Sequence, residues 1–233
     1  MNDIIVRLEQ VVKRFSGRTA PAEIGLELPR GEVIGVIGPN GAGKTTLLKL
    51  IAGLLYPDGG KVLVRGKPAA RRRSSEVAYM PEKGGLYPFF TVTETVRYYR
   101  TVFADFDENK AREMLDYMQL DQQQTAGDLS RGERGRLKLV MALSRQVPLV
   151  LLDEPLAGLD PMIRKSILKG LITFIDLPRQ TVLLSTHEVE EVEPVLDRVV
   201  ALRGGKLVRA DVLETIRCMH GENLVDWMEE TFL

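Results

Sequence analysis

Val33-Ile34-Gly35-Val36-Ile37-Gly38-Pro39-Asn40-Gly41-Ala42-Gly43-Lys44-Thr45-Thr46 is the stretch whose reading decides the fold. Val33 to Ile37 is an apolar run of strand length, Gly38 to Thr45 fits the phosphate-loop pattern G-x-x-x-x-G-K-[ST], and a helical run follows from Leu47 to Leu55. A strand that feeds a glycine loop into a helix turns backbone N–H groups and the positive helix end toward one point, where a triphosphate can sit. Gly38, Pro39, Asn40, Gly41, Ala42 and Gly43, with Thr46 behind them, form the candidate cradle. Lys44 is expected to reach the outer phosphates and the Thr45 hydroxyl to ligate magnesium.

Outward from this loop, short apolar runs at Val77 to Met80, Leu149 to Leu152 and Val182 to Ser185 predict buried strands of a parallel sheet, mostly separated by helical patterns. Alternation at Ile4, Val6 and Leu8, and the run Lys61 to Arg65, predict a hairpin-rich N-terminal sheet. Between Pro81 and about Gln146 the pattern is helical throughout: Thr93 is predicted to cap one helix, and Asp107 another that turns Ala111, Met114, Leu115 and Met118 inward. Val199 to Leu202 and Lys206 to Val208 flank Gly204-Gly205, which reads as a hairpin. A helical tail follows with Leu224, Val225, Met228 and Phe232 near one face. The expected fold is α/β: a P-loop NTPase core with a mixed sheet, an N-terminal antiparallel β subdomain and an inserted helical subdomain. One domain spans 1–233, with 1–80 and 147–210 as the core, 81–146 as the helical insertion and 211–233 as the tail.

Composition narrows the function. The 233 residues are 44% hydrophobic, enough for one sizeable core. Lys plus Arg and Asp plus Glu both count 32, so the formal net charge is zero and no global basic footprint for nucleic acid exists. Arg71-Arg72-Arg73 is the sharp basic run; it reads first as a solvated loop face, with contact to anionic lipid or nucleic acid as the alternative. Cys218 is the single cysteine, so no intrachain disulfide can form. Asp3, Arg7 and Glu9 interrupt the N-terminal apolar residues, and no run approaches about 18 apolar residues. A soluble chain is expected, with any membrane span supplied by another subunit.

Val150-Leu151-Leu152-Asp153-Glu154 is an apolar strand ending in two carboxylates, the form of a Walker B element. Its end is where a parallel sheet opens onto a ligand, so Asp153 can hold magnesium. Glu154 points elsewhere on the strand period and is free to orient the attacking water. An ordinary glutamate has a pKa of about 4.3 and is a weak base, so its effect should come from positioning that water.

These motifs, in this order and over nearly the whole chain, resemble the nucleotide-binding subunit of an ATP-binding cassette transporter. Leu129-Ser130-Arg131-Gly132-Glu133 is similar to the family signature LSGGQ, and Ala157-Gly158-Leu159-Asp160 to its D-loop. His187, after Leu183-Leu184-Ser185-Thr186, falls on the switch histidine, and Phe15 on the aromatic that stacks on adenine. The resemblance implies ATP and Mg2+ as ligands, and a dimer, with a second copy or a related cassette, in which Ser130 and Gly132 complete the partner's site. It further implies a nucleotide contact at Asp160, a γ-phosphate contact at His187, a separate transmembrane permease and a cytoplasmic position on the inner membrane face. No nucleic acid partner is expected. Ser130 followed by Glu133 is also a helix capping box in its own right.

Two positions depart from the family pattern. Glu82 stands at the Q-loop glutamine, where a carboxylate can ligate magnesium but cannot donate as an amide does. Arg131 replaces a signature glycine, bringing bulk and charge close to where a phosphate should dock. Met228-Glu229-Glu230-Thr231-Phe232-Leu233 resembles the L-E-E-x-F ending of bacterial drug-exporter ATPases, which favours export. Two alternatives are a soluble cassette acting on nucleic acid or the ribosome, which the neutral charge and single cassette disfavour, and a low-turnover regulatory ATP-binding module. Tyr87, Phe89 and Phe90 are read either as a docking surface for the membrane subunit or as the core of the helical insertion.

Overall fold

Strand β5 (Val33–Ile37) is buried along its whole length and sits inside a six-stranded sheet. The order is β12-β11-β5-β10-β9-β8, where β8 is Val77–Met80, β9 Leu149–Asp153, β10 Thr181–Thr186, β11 Arg198–Arg203 and β12 Lys206–Val212. The five strands from β11 to β8 run parallel; β12 returns antiparallel at the edge through the Gly204-Gly205 turn. This computed structural model describes residues 4–15, 18–220 and 224–232. Asp3 and Leu233 lie outside the described residues, as does the Val225 side chain.

The continuous apolar runs have a plain cause. Successive side chains leave a strand on opposite faces, and here both faces are covered. Val33, Ile37, Val150, Leu152, Val182 and Leu184 enter one core with the helices, whereas Ile34, Val36, Leu149, Leu151 and Leu183 enter a second core. That second core is closed by α1 (Lys44–Ile51) and by the antiparallel sheet β4-β1-β6-β7, formed from Ile24–Pro29, Ile4–Val12, Gly59–Val64 and Lys67–Pro68. The expected alternation in β1 is broken: Ile5 is buried beside Val6, where the pairing with β4 shifts register. The short pair β2 (Arg14–Phe15) and β3 (Arg18–Thr19) stands apart.

Between β8 and β9 lie α2 (Val92–Val102), α3 (Glu108–Tyr117) and α4 (Arg131–Leu143), with no named strand among the described residues. Asp107 caps α3 as expected, accepting from the Lys110 N–H, and Ala111, Met114 and Leu115 are buried. The cap of α2 is Thr91 instead of Thr93: its side chain accepts from the Glu94 N–H while Glu94 accepts from the Thr91 N–H. Thr93 donates to the Gln122 carbonyl and ties the helix to a neighbouring loop. Helices α2 to α4 share one hydrophobic cluster with a face of the main sheet, so the insertion is bolted to the core.

Beyond β9 the chain continues through α5 (Pro161–Phe174), the short α6 (Val189–Val192), α7 (Leu213–His220) and α8 (Leu224–Phe232). The tail is anchored by a residue absent from the expected face. Trp227 is fully buried, donates from Nε1 to Asp211 at 3.1 Å and lies under the Arg209 guanidinium, while Met228 and Phe232 are only partly covered. No helix among the described residues is long and apolar enough to cross a membrane.

Candidate functional site

Gly38 leaves β5 at a φ of 151°, and a Cβ there would lie 2.1 Å from the Leu202 carbonyl oxygen. Only glycine passes β11 this closely. The loop then delivers Lys44 and Thr45 into the first turn of α1. Lys44 is 5% exposed, and its ammonium donates to the carbonyls of Gly38 at 2.7 Å and Pro39 at 3.3 Å. It also pairs with Glu154 Oε1 at 3.1 Å.

Asp153 ends β9 and is buried, with three hydroxyls on its carboxylate. Thr45 Oγ1 donates to Oδ1 at 2.9 Å, Ser185 Oγ to the same oxygen at 2.8 Å, and the Tyr79 phenol to Oδ2 at 2.9 Å. Burial first, then the Asp153 carboxylate, pushes the Tyr79 phenol far above its ordinary value, so it remains a donor. Ser185 Oγ also accepts from the Glu154 N–H at 2.9 Å, which holds the two carboxylates in sequence.

Glu154 takes a φ of +47°, uncommon for a residue with a side chain. Strain of about 1–3 kcal/mol of this kind persists where surrounding bonds determine it, and such positions cluster at functional sites. The turn sends the carboxylate away from Asp153. Oε1 meets Lys44 and Oε2 meets His187 Nδ1 at 2.9 Å. The structure thus brings Lys44, Thr45, Asp153, Glu154 and His187 into one bonded group at the mouth of the loop. An ionised carboxylate can only accept, so Nδ1 carries the proton in this contact.

The remaining expected residues stand differently. Phe15 is 46% exposed on β2, as a stacking platform must be, with Lys13 Nζ 5.8 Å from its ring centre. Glu82 is exposed beside Lys83 and lines a cleft of about 590 Å3 with Glu154 and Arg131, but no hydrogen bond joins it to Thr45 or Asp153 among the described residues. Ser130 forms the expected capping box of α4, its N–H bonding Glu133 at 2.8 Å. Gly132 is buried against Ile163, so packing of α4 on α5 accounts for the missing side chain. Asp160 caps α5, accepting from the N–H groups of Met162 and Ile163 at 3.1 Å. Arg131 lays its guanidinium where a side chain on Gly158 would project.

Tyr79 and Ser185 escaped the sequence reading. Ser185 stands opposite Asp153 in the β10–β9 register, and Tyr79 opposite Leu151 in the β8–β9 register. A polar residue near the C-terminal end of an otherwise apolar parallel strand is the signal that points to both.

Among the described residues no three His, Cys, Asp or Glu side chains form a metal cage. The Thr45 hydroxyl and Asp153 carboxylate nevertheless supply adjacent hard oxygens. That donor set fits Mg2+, which takes one or two protein ligands and completes its shell with phosphate and water.

The description "ABC transporter" belongs to the family whose profile matches residues 22–157. An Fe(3+) ions import ATP-binding protein FbpC of Pseudomonas fluorescens is 32% identical over 214 residues, covering 88% of this chain and 60% of the relative. The chain therefore spans 60% of that relative's length. A probable sulfate/thiosulfate import ATP-binding protein CysA of Chlorella vulgaris is 31% identical, covering 88% of this chain and 89% of the relative. A Nod factor export ATP-binding protein I of Cupriavidus pinatubonensis is 33% identical over 88% of this chain and 65% of its own. Among solved structures, an ATP binding subunit of an ABC transporter superposes with a TM-score of 0.85 at 26% identity, over 98% of this chain and 100% of the other.

Proposed function

Because the chain belongs to the ABC transporter family, we propose that it is an ATP-hydrolysing subunit that dimerises around two ATP molecules and drives a separate membrane subunit. The observation that carries this reading is the bonded group at the loop mouth, in which Lys44 touches Glu154, Glu154 touches His187 and Thr45 touches Asp153. Backbone N–H groups of the loop and the Lys44 ammonium bind the phosphates, and Phe15 stacks on the base. Thr45 and Asp153 would hold Mg2+, with the exposed Glu82 on the cleft as a further oxygen donor; the ion would supply positive charge against the phosphate oxygens.

Glu154 orients the attacking water. Its carboxylate is fixed from two sides, by Lys44 and His187, and positioning of this kind lowers a barrier without demanding a strong base. As phosphate draws Lys44 off Glu154, one carboxylate oxygen is released to accept from water while His187 holds the other. Ser130, Gly132 and Asp160 act across the dimer. Their capping and packing roles account for them within this chain; what favours the use across the dimer is the positive end of α4, which Ser130 starts.

The export direction expected from the C-terminal ending is not confirmed by the three relatives named above, two of which are named for import and one for export. Steady-state phosphate release by the isolated chain tests the reading: turnover with ATP and Mg2+ that vanishes in Lys44→Ala supports it. A chain that binds ATP without measurable turnover would be a regulatory module instead.

A further inference from the structure

Lys61, Arg71 and Arg72 converge with Tyr56 around a surface cleft of about 750 Å3 that the ATP chemistry does not use. The cleft is built by a close backbone approach. Gly53, just past α1, has a φ of +69°, and a Cβ on it would lie 2.4 to 2.6 Å from Ala70 backbone atoms. Glycine there lets the single helical turn Arg71–Arg73 dock beside the end of α1. Arg71 and Arg72 are thereby set near Leu54 and Tyr56, which are 44% and 69% exposed.

The cations are exposed, and no side-chain hydrogen bond or ion pair engages any of the three among the described residues. Neighbouring acids are already committed: Asp58 to Lys13 and the Arg14 N–H, Glu76 to Arg73. Glu9 stands opposite Lys61 in the β1–β6 pairing without forming an ion pair. In a chain of zero formal net charge, three unpartnered cations around an exposed tyrosine make a local surface complementary to anions.

We propose that this patch docks on anionic lipid headgroups, so that the cassette touches the bilayer directly beside its membrane subunit. Guanidinium forks match phosphate geometry, and a tyrosine with a neighbouring exposed leucine suits the boundary between headgroup and acyl chain. Orientation rests on the proposed function. Arg71 also lines the cleft that runs past Pro81, Tyr99 and Phe103, and Tyr99 adjoins Tyr98 of the exposed aromatic cluster; if that cluster docks the membrane subunit, the two surfaces are continuous. A polyanion such as RNA would satisfy the charges and could stack on Tyr56, but would leave the exposed Leu54 without an apolar partner.

The test is co-sedimentation of the full chain with phosphatidylcholine vesicles that contain about a third phosphatidylglycerol, set against phosphatidylcholine alone. Binding to the anionic vesicles only, weakened by salt, is expected. Each cation near such a surface contributes about 1 kcal/mol, so the double variant Arg71→Gln, Arg72→Gln should bind roughly thirty-fold more weakly. Lys165→Gln with Lys169→Gln, which removes the same charge from exposed positions of α5, should bind like wild type. Equal binding to both vesicles, an unaffected arginine variant, or equal loss in the lysine control would overturn the proposal, as would an arginine-dependent preference for single-stranded RNA over the vesicles. ATP turnover in the same samples keeps this outcome separate from that of the ATPase reading.

Discussion

Glu154 carries the sharpest demand on a single side chain, because its left-handed backbone serves to aim one carboxylate at both Lys44 and His187. Glu154→Gln keeps the shape but removes the charge. ATP affinity is expected to stay within about threefold of wild type while turnover falls at least a hundredfold, and the ATP-bound dimer should accumulate in sedimentation. Near wild-type turnover would remove Glu154 from its role. Tyr79 yields a prediction with a pH sign. Its phenol is raised in the folded state, so its contribution is complete below the unfolded pKa of about 10 and is lost as pH rises through the higher folded value. Wild type should therefore lose urea resistance from pH 9 to pH 11 more steeply than Tyr79→Phe; parallel losses would contradict the assignment. At this scale Lys44, Thr45, Asp153 and Glu154 were legible because each sits at a fixed offset within a local motif. Tyr79 and Ser185 reach Asp153 only through the register of neighbouring parallel strands, which local spacing does not encode.

Among the elements, the segment between β8 and α2 is the most exposed to a second reading. Tyr87 and Phe89 are 47% and 69% exposed, and their rings meet Phe90 and Tyr98 edge-on at centroid distances of 4.8 to 5.4 Å. An aromatic cluster held together on the outside, beside a cleft lined by Tyr99 and Phe103, supports docking of the membrane subunit over service as core. Phe90→Asp should abolish co-purification with that subunit, with the melting temperature within about 3 °C of wild type. A large drop in melting temperature would return the ring to the core. Element existence was readable from periodicity throughout, but two details were not. Thr91 outcompetes Thr93 as the α2 cap because Glu94 falls three residues after it. Trp227 anchors α8 through Asp211 and Arg209 of β12, a tertiary pairing with no trace in the tail's own pattern.

For the molecule as a whole, the buried parallel sheet, the antiparallel layer and the helical insertion followed from the patterns of apolar residues, since a strand covered on both faces reads as continuous hydrophobicity; the division of the interior into two cores, where one was expected, did not. The shared core of helices and sheet did not, because contact between distant segments is invisible to a sliding window. In the proposed dimer each ATP lies between two cassettes, with Ser130 acting on the nucleotide held by the other chain. Ser130→Arg and Lys44→Ala chains should each be inactive, and Ser130→Arg also forgoes a cap of about 1 kcal/mol, so folding is verified by melting. Mixed, they form heterodimers in which both lesions fall on one composite site and the other site is intact. The deciding measurement is ATP turnover of that mixture: recovery to roughly a quarter of wild type, half the dimers each with one of two sites, is expected, and no recovery despite confirmed heterodimers would rule out shared sites.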